Sequence, residues 1–195
     1  MDDNLLTDIR EKAMRAAIPV MDEDSLYYIR DFIGNYHIEK MLEVGTAVGY
    51  SASVIASYNP SLQIVTLEKD EERYQQAVKN IALLKLGNQI QPVLTDALEY
   101  ETDELFDMIL LDGPKAHNRE LLEKYEKNLK PHGYFIIDDV YFHGYIEHPE
   151  VIRTRRLRTL VTRFSEFIEY MKTNPDYECT YLGIGDGLLI AQRRR

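Results

Sequence analysis

One cysteine, Cys179, stands in 195 residues, which excludes an internal disulfide and a thiolate metal cluster and suits a reducing compartment. Its simplest role is that of a small apolar residue on a strand. No apolar run approaches the roughly 18 residues needed to cross a bilayer. The opening "MDDNLLTDIREKAMRAA" is acidic and amphipathic rather than signal-like, so a cytoplasmic protein without membrane contact is expected. Positive charge is also scarce: a formal net charge of −10 argues against broad, sequence-indifferent binding of nucleic acid. None of the five histidines has zinc-ligand spacing; His37, His132 and His148 read as helix-end or loop residues. Internal repeats and low-complexity linkers are absent as well.

What is present is segregated. Arg153, Arg155, Arg156, Arg158 and Arg163 fall between Val151 and Phe164 without an intervening acid, whereas Glu99 to Asp107 is rich in acids. A basic patch can therefore exist on an acidic whole. At 45% hydrophobic residues, the chain suits one domain over 1–195 with an adequate core, residues 1–39 forming an N-terminal helical cap.

Asp22 and the acids after it cap a helix in "LYYIRDFIGNY", following an extended segment at Pro19. The periodicity then alternates. "KMLEV" reads as a strand, "YSASVIASY" as a helix, "LQIVTLE" as a strand, and "EERYQQAVKNIALLKLG" as a long helix stopped by Gly87. "IQPVLTD" suits an outer strand, because Pro92 cannot donate to a ladder. "FDMILLD" is a nearly continuous apolar run, as expected of a parallel strand covered on both faces. "NRELLEKYEKNLKPHG" reads as a helix ended by Pro131 and Gly133, and "YFIIDD" as another buried strand. "YECTYLGIGDGLLIAQR" reads as two antiparallel strands around a Gly-Asp-Gly turn. Together these predict an α/β, Rossmann-like doubly wound sheet, mostly parallel, with a C-terminal antiparallel hairpin.

Ligands of such sheets sit at the C-terminal ends of the strands, which here carry Glu43 to Gly49, Glu68, Asp96, Asp112 and Asp138-Asp139. Gly45 and Gly49 in "LEVGTAVGYS" suit a tight strand-to-helix turn that lets a ligand approach the backbone; a turn tolerant of glycine is the simpler alternative. Glu68 ends the next strand, where an acid accepts hydrogen bonds from ribose hydroxyls, or merely opens the helix that follows. The Gly-x-Gly-x-x-Gly spacing needed beside a pyrophosphate is missing, so a nucleoside without phosphates fits better than NAD. Asp112, Asp138 and Asp139 offer oxygen-only ligation, which suits Mg²⁺, Mn²⁺ or Ca²⁺ and not zinc; each is also a credible turn or cap residue. Lys115 follows Asp112 by three residues, and His117 and His143 fall nearby.

The segments "LEVGTAVGYSA", "TLEKDEER", "FDMILLDGPKA" and "FIIDDVYFHG", in this order and spacing, resemble the metal- and S-adenosylmethionine-dependent O-methyltransferases, the family of catechol and caffeoyl-CoA O-methyltransferases. Within it the "IPVMD" lead-in and "DDVYFHG" are most similar to the bacterial enzymes that methylate 5-hydroxyuridine in tRNA. The resemblance implies that Met21, Glu43, Gly45, Ser51, Glu68, Asp96, Ala97 and Asp112 surround S-adenosylmethionine, Ser51 meeting its carboxylate and Glu68 its ribose. It implies Mg²⁺ on Asp112, Asp138 and Asp139, and Lys115 as general base. The family usually has asparagine at the position of Asp139, so this chain carries one more negative charge there. A homodimer is implied too. Two substrates share the required pair of adjacent oxygens, the wobble 5-hydroxyuridine of a tRNA anticodon stem-loop and a small catechol-like molecule. Arg153, Arg155, Arg156 and Arg158, on a helix whose apolar face is Ile152, Leu157, Leu160, Val161 and Phe164, suit the RNA; ion pairs with acidic segments are the blander role. Tyr141, Phe142 and Tyr145 can stack on a splayed base or pack in the core.

Overall fold

A computed structural model describes residues 3–195; the first two residues of the expected N-terminal cap lie outside them. Strands β1 (Lys40–Val44), β2 (Gln63–Glu68), β3 (Ile90–Leu94), β4 (Phe106–Leu111), β5 (Leu129–Ile137), β6 (Tyr177–Leu182) and β7 (Leu188–Arg193) form one sheet in the order β3-β2-β1-β4-β5-β7-β6. The pairings from β3 to β5 are parallel, and β7 inserts antiparallel between β5 and β6. The expected α/β sheet with an antiparallel C-terminal hairpin is what forms, with Pro92 on edge strand β3.

Alternation along β4 shows why the sheet is central. Met108 and Leu110 point to one face and Ile109 and Leu111 to the other, and all four are fully buried. The first face is covered by helices α1 (Asp3–Arg15), α2 (Glu23–Asn35), α3 (Tyr50–Tyr58) and α4 (Glu71–Leu83). The second is covered by α5 (Asn118–Tyr125) and α6 (Arg155–Thr173). Asp22 caps α2 as expected, its carboxylate accepting the Asp24 and Ser25 amides. Among the described residues no helix is long and apolar enough to cross a membrane.

Two boundaries differ from the sequence reading. α4 does not run to Gly87: it stops at Leu83 with Leu84 as its cap, and Lys85 takes the left-handed conformation (φ 60°) usually left to glycine. The Leu86 amide bonds back to the Ile81 carbonyl at 3.0 Å, and the Leu86 side chain is buried there. That apolar contact closes the helix before the glycine is reached. α5 likewise ends at Tyr125, followed by a short 3₁₀ turn over Glu126–Asn128. Buried Asn128 donates to the Thr102 and Glu104 carbonyls and draws the chain out of the helix. Pro131 and Gly133 therefore lie inside β5, where its register against β4 slips, and His132 (φ 62°) belongs to that irregularity. Ile152 is buried but precedes α6, whose cap is Thr154.

Candidate active site

β1 hands over to α3 through a turn in which Gly45 (φ 108°), Ala47 (φ 46°) and Gly49 (φ 76°) are left-handed. The Gly45 and Thr46 amides both donate to the Leu67 carbonyl, tying this turn to β2. A Cβ on Gly45 would stand 2.5 Å from the Asp112 carbonyl oxygen, so the close approach of the β1 and β4 ends requires glycine.

Beneath the turn lies a network the sequence reading missed. Fully buried Glu43 accepts hydrogen bonds from the Ser51 hydroxyl (2.6 Å) and the Thr66 hydroxyl, and the Thr46 and Thr66 hydroxyls lie 2.6 Å apart. Burial pushes the Glu43 carboxyl up, and the two hydroxyls pull it partly back. Glu43 and Ser51 thus face each other, behind the turn that the resemblance sets around the cofactor, and neither is among the residues lining the cavity. Ser51 projects from the first turn of α3 toward β1, where Glu43 has only the two hydroxyls as donors. The pair braces the turn from behind.

In front of the turn is a cavity of about 370 Å³ whose lining includes Met21, Gly45, Glu68, Asp96 and Ala97. Glu68 holds the site's own backbone, accepting the Ala47 amide at 2.8 Å and the Asp70 amide at 2.9 Å. Asp96 accepts the Leu98 amide, and the Ala97 carbonyl accepts the Tyr125 hydroxyl. Pro19, Val20, Arg73, Thr95, Leu98 and Leu121 also line it and were not foreseen. The signal was available for Pro19 and Val20, which adjoin Met21. Thr95 and Leu98 likewise flank Asp96 and Ala97.

The same cavity is lined by Asp112, Asp138, Asp139 and Lys115. One carboxylate oxygen from each aspartate can be chosen so that all lie within 4.8 Å of one another. Both Asp138 side-chain oxygens are buried without a well-formed hydrogen bond, the nearby Ser25 hydroxyl exerting only a small downward pull and donating to the Ile184 carbonyl at 3.4 Å, an arrangement costly for an acid unless something binds there. Burial, then the Asp139 charge, pushes the Asp138 carboxyl up to about 6, while Lys115 pulls it down. The Asp112 carboxyl is also well above its usual range, through burial and then the Asp138 charge. The Lys115 ammonium donates to the Asp138 carbonyl at 2.7 Å and stands 3.3 Å from Asp139 Oδ2. Its side chain is only 8% exposed, so it is held among these acids rather than solvated. The donor set is all oxygen and crowded with negative charge, which fits Mg²⁺, Mn²⁺ or Ca²⁺. His117 lines the same cavity; His143 is exposed and pairs with Asp186.

Arg153, Arg155, Arg156 and Arg158 are exposed and form no ion pair with any described residue. Arg158 donates to the Ile152 carbonyl at 2.9 Å. α6, which carries three of these arginines, packs against the 3₁₀ turn of Lys115–His117. The C-terminal arginines are less available than their sequence suggests, because Arg193 donates to the Glu126 and Leu129 carbonyls and Arg194 to Tyr177. Phe142 packs edge-on against Phe164 and Tyr145, with ring centroids 6.0 Å apart in each case. Cys179 is the strand residue expected, its thiol donating to the Met171 carbonyl and raised to about 11 by burial.

A family model for O-methyltransferases matches residues 1–194. The chain belongs to the O-methyltransferase family. Among solved structures, it is similar to a Staphylococcus aureus protein provisionally described as a caffeoyl-CoA O-methyltransferase, with 31% identity, a TM-score of 0.92, and 96% of this chain and 91% of that one covered. An O-methyltransferase from Bacillus cereus, solved with S-adenosylhomocysteine (SAH), shares the fold at 24% identity, a TM-score of 0.83 and 99% and 92% coverage. The O-methyltransferase imqG of Aspergillus flavus is 29% identical over 126 residues, 60% of this chain, and the match spans about half (51%) of that protein.

Proposed function

We propose that this O-methyltransferase transfers the methyl group of S-adenosylmethionine to a hydroxyl that has a second oxygen beside it, with Mg²⁺ held by Asp112, Asp138 and Asp139. The observation that carries this is the pair of buried Asp138 oxygens without a well-formed hydrogen bond, set in a carboxylate cluster in a cavity whose remaining lining suits a nucleoside. Met21, Gly45, Glu68, Asp96 and Ala97 seat the cofactor, and the Glu43–Ser51 pair keeps the turn in shape. When bound, the cation supplies charge stabilisation for the substrate oxygens and lowers the hydroxyl pKa. Lys115, once it has given up its own proton and stands as the neutral amine, takes the hydroxyl proton, and Pro19, Val20 and Leu121 add apolar wall to the same cavity.

For the substrate we favour the wobble 5-hydroxyuridine of tRNA, giving 5-methoxyuridine. Support comes from the resemblance of the lead-in and of the segment after β5, and from four exposed arginines without acidic partners on and just before α6, which packs beside Lys115. Phosphates of an anticodon stem-loop complement such a face. The triple variant Arg153→Glu, Arg155→Glu, Arg156→Glu leaves Arg158 in its structural bond. It is expected to lower tRNA methylation by about 100-fold or more at moderate salt, with methylation of a small catechol unchanged. Equal losses on both substrates would count against RNA and in favour of a small catechol-like acceptor. Nucleoside mass spectrometry of tRNA from a deletion strain decides the same point, through loss or retention of 5-methoxyuridine-type nucleosides.

The turn makes a separate prediction. Gly45→Ala forces Cβ against the Asp112 carbonyl in a left-handed conformation, which is expected to cost about 3 kcal/mol of stability and to weaken SAH binding at least tenfold. Urea denaturation and calorimetric titration with SAH measure the two effects. Wild-type values for both would mean that the β1 and β4 ends are not held this closely.

A further inference from the structure

The segment after β5 is unusually strained. Asp139 (φ 54°), Phe142 (φ 48°) and His143 (φ 56°) are left-handed without being glycine, and Gly144 (φ 75°) follows. Asp139 is one of the three clustered acids, so the path of this segment decides where its carboxylate stands relative to Asp112, Asp138 and Lys115. Such conformations persist only where surrounding contacts over-determine them.

Those contacts come from the turn between β6 and β7. The Val140 amide donates to the Gly187 carbonyl at 3.0 Å and the Tyr141 amide to the Asp186 carbonyl at 2.8 Å. The Asp186 carboxylate then accepts the His143 amide at 2.6 Å, and the same oxygen lies 3.1 Å from His143 Nδ1. Gly187 (φ 88°) lets the turn lie flat against the Tyr141 ring, where a Cβ would come within 2.8 Å. On its far side, the turn abuts the start of α2: a Cβ on Gly185 would meet the Ser25 hydroxyl at 2.4 Å and the Asp22 carboxylate at 2.8 Å. The turn is thus wedged between α2, which follows cavity residue Met21, and the strained segment that begins at Asp139.

We propose that Asp186 is a positioning residue for the carboxylate cluster: by accepting the His143 amide it holds the Asp139–Gly144 segment in its left-handed path and fixes where Asp139 meets Asp112, Asp138 and Lys115. The proposal rests on the cation reading of that cluster. Asp186 is not among the residues lining the cavity; it acts through the backbone.

The test measures Mn²⁺ affinity of the full chain by electron paramagnetic resonance, together with SAH affinity in the absence of metal. Asp186→Ala is expected to weaken Mn²⁺ binding by about 10- to 100-fold while SAH binding stays within threefold. Asp186→Asn keeps an oxygen to accept the amide and is expected to stay within about threefold of wild type. Adding His143→Gly to Asp186→Ala lets the segment adopt positive φ without the carboxylate, and is expected to recover at least half of the loss on a logarithmic scale. If Asp186→Ala does not fold, the asparagine variant and the double variant decide. Wild-type Mn²⁺ affinity in Asp186→Ala, or asparagine as damaging as alanine, overturns the proposal alone. A wild-type chain whose Mn²⁺ binding is nil, or is unchanged by Asp138→Asn, overturns the cation reading and the proposal with it.

Discussion

Asp138→Asn is expected to reduce cation-dependent methyl transfer by more than about 1,000-fold and, at the same time, to make the metal-free protein more stable at pH 8. Both effects have one cause. Asp138 is 1% exposed, its oxygens lack a well-formed hydrogen bond, and its carboxyl is pushed from 3.8 to about 6 by burial and by the Asp139 charge, against smaller downward pulls from Lys115 and Ser25. A folded-state pKa above the unfolded one means that the folded chain holds its proton more tightly. Stability from this group is therefore fully present below about pH 4 and is lost as pH rises through 6. A shift of that size corresponds to about 3 kcal/mol above pH 6, shared with Asp112, whose carboxyl rises partly through the Asp138 charge. Asparagine cannot ionise, and the penalty disappears with it. Urea denaturation in EDTA at pH 5 and pH 8 should show the wild type less stable at the higher pH, with that difference smaller in the variant. Mg²⁺ should restore the wild type at pH 8 and leave the variant unmoved. Equal wild-type stability at both pH values, or an active asparagine variant, would refute the assignment of Asp138 as a cation ligand.

How much of this site was legible in the sequence depends on what each residue responds to. Strand-end acids follow from topology. Once "KMLEV", "FDMILLD" and "YFIIDD" are read as parallel strands, Asp112 and Asp138 must emerge at one edge, and the structure places them there with Asp139 and Lys115. Helix ends followed local propensity less well, because tertiary contacts overrode it: burial of Leu86 closes α4 before Gly87, and the Asn128 bonds to the loop ahead of β4 shorten α5. Side-chain direction was the least legible. Ser51 and Glu43 stand at positions that a ligand-facing reading favours, yet their spacing across the turn lets them satisfy each other. The role of Asp186 was invisible for a similar reason. In "GIGDGLL" it is one turn residue among glycines, and only the fold brings its carboxylate to a backbone amide 43 residues away.

Lys115→Arg carries the second large effect and separates two roles that geometry alone allows. The ammonium donates to the Asp138 carbonyl at 2.7 Å and lies 3.3 Å from Asp139 Oδ2, so Lys115 serves the site either as a fixed positive charge or, after losing its own proton, as the acceptor of the substrate proton. Arginine preserves the charge, but its guanidinium does not give up a proton in proteins. If Lys115 is the base, Lys115→Arg and Lys115→Met should both lower kcat by about 100- to 10,000-fold, with SAH affinity near wild type because the residues proposed to seat the cofactor are unchanged. If it is only a charge, arginine should keep most of the rate and methionine lose it, the latter also weakening the hold on Asp139. The distinguishing measurement is kcat for the arginine variant at saturating Mg²⁺ and substrate, with the Mn²⁺ affinity of each variant alongside. A rate within tenfold of wild type would remove Lys115 from proton transfer and leave it as a tether for the two acids. Deprotonation would then fall to bulk water or to His117, which lines the same cavity with its ring paired to Glu120 at 2.6 Å.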